Sequence, residues 1–220
     1  MGTDLSVVTA PLYSFAEADR LAAVSRGTSS RWLCDRGLTG ESVRPPAGMQ
    51  GADGSDAVSF LDLVEIAAIG RLKEFGFSLA RIRGIVDTCR DLLGVERPLA
   101  TMKFKVGGRD IFVDERPGLI EVGRRQGQRA WDEVLSPFLR DLDYADDVAR
   151  RWWPLGRSNP IVVDPDYGYG LPVIAESGVR TEIILERFKA GDLPELIASD
   201  FNVTPHEVQR ALQFELNRAA

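Results

Sequence analysis

The chain has 220 residues, enough to bury a full hydrophobic core or to form two small packed units. Its content of 44% hydrophobic and 27% charged residues excludes an intrinsically disordered chain, and two cysteines exclude a disulfide-rich secreted scaffold. No apolar run reaches the length that spans a bilayer and no secretory signal opens the chain, so we expect a cytoplasmic protein without membrane contact.

Charge is distributed unevenly along the chain. The formal net charge of −6 argues against a protein that coats nucleic acid nonspecifically. Residues 20–44, however, hold five arginines against two acids, and residues 71–90 hold five basic residues against two acids. Residues 164–220 hold ten acids and five bases. A basic front and an acidic rear predict two surfaces with different partners.

The first local signal is a pair of short helices. Ser14 and Glu17 have the spacing of a capping box, and the helix they open should end near Ala22. A small-residue turn follows, with Ser25 as the cap of a second helix over residues 26–35. Two short helices across a tight turn have the geometry that lets the second helix enter the major groove of DNA.

The second helix has a packing face and an outward face. We expect Ser29, Trp32 and Leu33 to face inward. Arginine can bond guanine edges or phosphate, hydroxyls bond phosphate, and glycine permits close backbone approach. The predicted DNA contacts on the outward face are Arg26, Gly27, Ser30 and Arg31, with Thr28 at its margin. The alternative is an αα-hairpin that only packs.

Residues 38–56 are rich in glycine and proline and lack periodicity. They form either a mobile wing that touches phosphate through Arg44 or a plain connector. An amphipathic helix is then predicted from Phe60 to Phe75, and another, capped by Ser78, up to Leu93.

This front half resembles the MerR-like winged helix-turn-helix group. The resemblance is carried by the helix pair, by the Gly76-Phe77-Ser78-Leu79 break and by Ile82-Arg83, and it covers Leu12 to about Leu93. The resemblance implies a DNA-binding domain, in which the longer glycine- and proline-rich loop stands in place of the MerR wing.

The middle of the chain predicts extended structure. Residues 102–106 and 109–113 flank Gly107-Gly108, a two-residue turn of the kind that joins antiparallel strands. Leu119 to Val122 would add a short strand to this hairpin. Arg124, Arg125 and Arg129 would extend the basic face or form a solvated charge run.

A helix is predicted from Arg129 to Leu142, broken or bent at Pro137. The acids that follow, Asp141, Asp143, Asp146 and Asp147, have no calcium-loop spacing, so we interpret them as a solvated linker and not as a metal site.

The rear begins with an extended segment, residues 161–165, and continues into three helices. These are predicted at Thr181–Ala190, Leu193–Asp200 and Pro205–Arg218, the last capped by Thr204. The predicted fold class is α+β and mainly α-helical, with a MerR-like helix-turn-helix front, a central β-hairpin and a three-helix, winged-helix-like rear. The predicted domains are residues 1–95, 96–158 and 159–220.

The rear resembles the small antitoxin-associated domain at the end of VapB-type proteins. The matching residues are Asp164-Pro165, Gly170-Leu171-Pro172-Val173-Ile174, Ala190-Gly191 and Thr204-Pro205-His206-Glu207-Val208. Residues 176–181 replace the Gly-Thr-Arg of the commoner members, which fits a longer VapB-like subgroup. That subgroup also resembles this chain at Phe60–Leu63, at Gly108–Phe112 and at Trp152–Pro154, so the resemblance covers nearly the whole chain.

The resemblance implies a type II antitoxin. Its front would bind operator DNA as a homodimer, and its rear would mask a VapC-like PIN-domain ribonuclease by placing Arg180 and Arg187 near the toxin's carboxylates. The alternative is a stand-alone MerR-like regulator whose rear senses a ligand or dimerises. We expect no enzyme and no cofactor, because no phosphate-binding loop, nucleophile elbow or metal spacing is present and the lone His206 falls in an exposed helix start.

Overall fold

The computed structural model describes residues 5–34, 57–113 and 127–218. The predicted loop 38–56, with Arg44, and the predicted strand 119–122 lie outside these ranges. The described part is α+β and mainly helical, with two small antiparallel sheets. The chain divides into two compact units, Met1–Arg140 with Tyr144–Ala149, and Asp141–Asp143 with Arg150–Ala220.

The first unit contains the helix pair and the helices that support it. Its helices are α1 Ser6–Thr9, α2 Phe15–Leu21, α3 Thr28–Cys34, α4 Phe60–Glu74, α5 Leu79–Leu93, α6 Met102–Val113 and α7, which runs from residue 127 to Arg140. Two short strands, β1 Tyr13–Ser14 and β2 Ala57–Val58, pair antiparallel with Ser14 opposite Ala57.

Helix α4 is the centre of the first unit. It begins at a capping box formed by Ser59 and Asp62, and α1, α2, α5 and α7 pack against it. Residues 60–70 are all buried, including Asp62 and Glu65. The expectation of an amphipathic helix is therefore wrong, because neighbours cover every side. The buried Asp62 carboxylate is compensated by Arg97, whose Nε lies 2.9 Å away.

The predicted β-hairpin at residues 102–113 is wrong, because this segment is helix α6. Thr101 caps the helix by accepting a hydrogen bond from the amide of Phe104 at 3.2 Å. The ring of Phe104 is fully buried and lies across the next turn, where a Cβ on Gly108 would come within 2.4 Å of it. Gly108 therefore permits a close approach inside a helix and does not form a turn.

The helix predicted at Arg129–Leu142 is present as α7. The five residues before Ser136, Trp131–Leu135, are π-helical, and the Ser136 amide donates to the carbonyl of Trp131. This irregular turn lies immediately before Pro137, where the predicted bend was placed. The helix ends at Arg140, two residues earlier than expected.

The acidic segment after α7 is not a solvated linker, so that interpretation is wrong. Strands β3 Leu142–Ala145 and β4 Val148–Trp152 form a hairpin there. Its turn residues, Asp146 and Asp147, have φ values of 49° and 66°, the left-handed conformation that a type I′ hairpin turn requires and that aspartate tolerates.

The second unit contains three helices and two strands, β5 Ile161–Val163 and β6 Pro172–Ile174, together with the parts of β3 and β4 outside residues 144–149. The strand order in the sheet is β3-β4-β5-β6. The three predicted rear helices are confirmed as α8 Thr181–Lys189, α9 Pro194–Phe201 and α10 Pro205–Arg218. Their shared core includes Ile161, Ile174, Ile184, Ile197, Val208 and Phe214.

Candidate nucleic-acid interface

Helices α2 and α3 form the predicted helix pair in the first unit. The capping box at the start of α2 is confirmed, since the Ser14 amide donates to Glu17 at 2.9 Å and the Glu17 amide donates to the Ser14 hydroxyl at 3.3 Å. Helix α2 packs against both α3 and the central helix α4.

The start of α3 differs from the prediction. The helix begins at Thr28, so Arg26 and Gly27 lie in the turn before it, and Gly27 has a φ of 78°. Within the described residues, Ser25 contributes its backbone carbonyl and not its side chain, and this carbonyl accepts from the Thr28 amide at 3.0 Å.

The side chain that organises this turn is Asp19, which sequence reasoning missed. It is 3% exposed and accepts hydrogen bonds from the amides of Gly27 at 2.6 Å and Ser29 at 2.7 Å. A buried carboxylate of α2 therefore satisfies amide groups at the start of α3 and fixes the two helices to each other. The available signal was an aspartate late in the first helix, eight residues before a turn glycine.

The packing face of α3 was predicted correctly. Ser29, Trp32 and Leu33 are all buried. The hydroxyl of Ser29 donates to the carbonyl of Phe15 at 3.1 Å, a second bond between the two helices.

The outward face presents two arginines. Arg26 and Arg31 are exposed, while Gly27 and Ser30 are half-buried. Arg31 lies back along the first turn of α3, where its Nε donates to Gly27 at 3.1 Å and its Nη2 donates to the Thr28 hydroxyl at 3.3 Å.

Thr28 is only 6% exposed, and its hydroxyl lies beneath Arg31 and accepts the hydrogen bond from this arginine. The acceptors that Arg31 uses are neutral, and within residues 5–34, 57–113 and 127–218 neither Arg26 nor Arg31 forms an ion pair. Their charge is available to an anion.

The turn between α2 and α3 rests on the central helix. A Cβ placed on Gly70 of α4 would lie 2.7 Å from Cγ1 of Val24. The neighbouring turn residue Ala23 has a φ of 55°. Gly70 therefore permits a backbone approach that holds the helix pair against the core of its unit.

The two arginines predicted to face a toxin lie in the second unit and have different surroundings. Arg187 of α8 forms ion pairs with Asp192 and with Asp200, the latter at 2.8 Å. The hydrogen bond to Asp192 and then that to Asp200 raise the pKa of Arg187 above its ordinary value. Arg180 directly precedes α8, is half-buried and forms no ion pair within the described part of the chain.

The acidic segment forms hydrogen bonds of its own. Burial of Asp143 opposes its ionisation, but hydrogen bonds from Trp153 at 3.0 Å and from Arg157 outweigh this and lower the pKa of Asp143. In the ranges that the structure covers, no cluster of three histidine, cysteine or acidic side chains could hold a metal ion.

His206 lies in the first turn of α10 and is exposed, as expected. None of the helices in the described ranges combines the length and apolarity that crossing a membrane requires.

Comparison with known proteins shows what the chain is similar to. A family model described as a protein of unknown function, DUF433, matches residues 161–214. "Putative antitoxin VapB45" of Mycobacterium tuberculosis is 30% identical over 226 residues, which span 92% of each chain. "Uncharacterized protein Rv2308" of the same organism is 22% identical over 97% of this chain and 95% of that one. The crystal structure of Rv2018 from M. tuberculosis superposes with a TM-score of 0.76 at 25% identity, covering 92% of this chain and 97% of the other.

Proposed function

The chain belongs to the family of the VapB45 protein, and from this we propose that it is the antitoxin of a type II toxin–antitoxin pair. In this proposal the first unit is a MerR-like reader of operator DNA, and the second unit neutralises a VapC-like PIN-domain ribonuclease. The protein acts in the cytoplasm, where its operator and its toxin are found.

Operator binding is supported by the outward face of α3. Arg26 and Arg31 are exposed next to a helix start whose backbone is pinned by buried Asp19. Because Arg31 and the backbone at the start of α3 are held before DNA arrives, little ordering of these groups is required on binding. A homodimer would present two such helices to two half-sites.

The test of operator binding uses the full chain and the DNA upstream of its own gene. Replacing Arg26 and Arg31 by alanine should weaken binding and reduce the slope of log affinity against log salt by about four for the dimer, one for each lost phosphate contact. Fluorescence anisotropy across a salt series measures both quantities.

A matched control removes two other exposed charges that form no ion pair within the described residues, in the variant Lys103→Ala/Lys189→Ala. This control should retain the parent affinity and slope. Binding by the Arg26→Ala/Arg31→Ala variant that equals the parent would exclude α3 from the DNA surface.

Neutralisation is supported by family membership and by the acidic balance of residues 164–220, which favours encounter with the basic rim of an RNA-cleaving groove. The test is whether the full chain inhibits, in stoichiometric amounts, the Mg²⁺-dependent RNA cleavage of a PIN-domain protein encoded beside it. If no such reading frame adjoins the gene while operator binding persists, the stand-alone regulator is the correct function.

A further inference from the structure

The loop between β5 and β6 exposes two aromatic side chains. Tyr167 is 58% exposed and Tyr169 is 86% exposed. Large aromatic surfaces left in water are costly unless a partner covers them, and tyrosine is among the residue types most enriched at protein interfaces.

The backbone of this loop is ordered before any partner binds. Gly168, Tyr169 and Gly170 all have positive φ, at 58°, 58° and 75°. For tyrosine this left-handed conformation is unfavourable and must be held by its surroundings. It is held by hydrogen bonds from the Gly170 amide to Tyr167 at 3.0 Å and from the Leu171 amide to Gly168 at 3.1 Å.

The base of the loop is anchored by a buried carboxylate. Asp164 is 4% exposed and accepts from the Asp166 amide at 2.9 Å and from Arg151 Nε at 2.7 Å. The middle of the loop lies close to β6, where a Cβ on Gly168 would come within 2.7 Å of Val173. The tyrosines therefore project from a fixed support.

An arginine lies beside the glycine that separates the two tyrosines. A Cβ on Gly168, between Tyr167 and Tyr169, would be 3.6 Å from Cγ of Arg180. Within the described ranges Arg180 forms no ion pair, in contrast to Arg187. Two exposed tyrosines on a rigid loop, with an arginine from the start of α8 packed against that loop, have the chemistry of an interface hot spot.

The charge of the surroundings favours a protein partner over a nucleic acid. Residues 164–182 hold four acids and one arginine, so a phosphate backbone would meet net repulsion. A protein surface that offers apolar area to the tyrosines and a carboxylate to Arg180 complements the loop.

We infer that the loop carrying Tyr167 and Tyr169, together with Arg180, is the anchor by which the second unit binds its toxin at a carboxylate-bearing surface. This inference rests on the proposed antitoxin function. It adds Tyr167 and Tyr169 to Arg180 as residues that contact the toxin. It also gives Arg187 a structural role, because the ion pairs of Arg187 join α8 to the segment after it.

The test measures binding of the full chain to the purified PIN-domain protein of the adjacent reading frame by isothermal titration calorimetry. The Tyr167→Ala/Tyr169→Ala variant should bind about 30-fold more weakly, the effect of losing hot-spot side chains. Arg180→Gln should weaken binding about tenfold and reduce its salt dependence. Leu193→Ala, which removes another exposed apolar side chain of the second unit (69% exposed), should bind within about threefold of the parent.

Each outcome decides between named alternatives. Failure of the parent chain to bind the PIN-domain protein refutes the proposed function, and the loop assignment with it. Parent binding that the tyrosine variant retains, with an unchanged melting temperature, overturns the loop assignment alone. If the variant instead loses self-association in sedimentation, or loses binding to a single-stranded RNA oligonucleotide, the occupant of the loop is a second copy or RNA, and the inference is wrong.

Discussion

Replacing Asp19 by alanine tests how the helix pair is organised. The substitution removes two charge-assisted hydrogen bonds, to the amides of Gly27 and Ser29. Ser29 is fully buried, so its amide would have no water to replace the carboxylate, whereas half-buried Gly27 remains accessible to solvent. Leaving one buried donor unsatisfied and losing a second bond should cost about 3 kcal/mol.

The assay is amide hydrogen exchange of residues 15–34 in the full chain, because two units need not unfold together and a local probe avoids that ambiguity. A loss of about 3 kcal/mol corresponds to roughly a 100-fold faster exchange of the Ser29 amide. Asp91→Ala, which removes an exposed carboxylate from α5, is the control and should leave exchange in this segment unchanged. Exchange in the Asp19→Ala variant within threefold of the parent would refute the idea that this carboxylate joins the helices.

Three further predictions concern packing and pH. Gly70→Ala should destabilise the first unit by about 1–3 kcal/mol in urea unfolding, because the added methyl group overlaps Val24. Adding Val24→Ala should restore most of the lost stability. A Gly70→Ala variant as stable as the parent would contradict the close approach. Gly108→Ala should destabilise α6 by a similar amount, about 1–3 kcal/mol, because the added methyl group overlaps the ring of Phe104, although alanine is the better helix former. A variant more stable than the parent would contradict this packing. The folded pKa of Asp143 is depressed, so its contribution to stability is present above its ordinary pKa of 3.8 and is lost as pH falls through the folded value. The Asp143→Asn variant should therefore lose less free energy of unfolding than the parent as pH falls from about 4 to about 2, measured by urea unfolding. An equal loss in the variant and the parent would contradict this role of Asp143.

Local signals in the sequence predicted much of the fold. Capping residues located the starts of α2, α5 and α10, because a side chain that accepts an amide hydrogen bond acts within four residues. The three rear helices agree with their predicted bounds to within about one residue.

Predictions failed where distant packing decides the structure. Gly107-Gly108 has the sequence of a hairpin turn, but the ring of Phe104 uses the space that Gly108 leaves inside a helix. In the acidic segment, the two aspartates were interpreted through their charge, whereas their tolerance of positive φ places Asp146 and Asp147 in a hairpin turn.

The candidate site was predicted in part. The inward face of α3 followed from periodicity, and Arg26 and Arg31 are exposed as expected. The role of Asp19 depends on a contact between residues eight and ten positions apart across a turn, which periodicity does not report.

The two-residue ladder between β1 and β2 places Ser14 opposite Ala57, so the residues that open α2 and those that lead into α4 are held side by side. A segment whose two ends lie together can be exchanged without moving the rest of its unit. Exchanging residues 15–56 between members of the family would therefore carry the helix pair from one protein to another, provided that the donor segment keeps a turn residue that fits beside Gly70 as Val24 does.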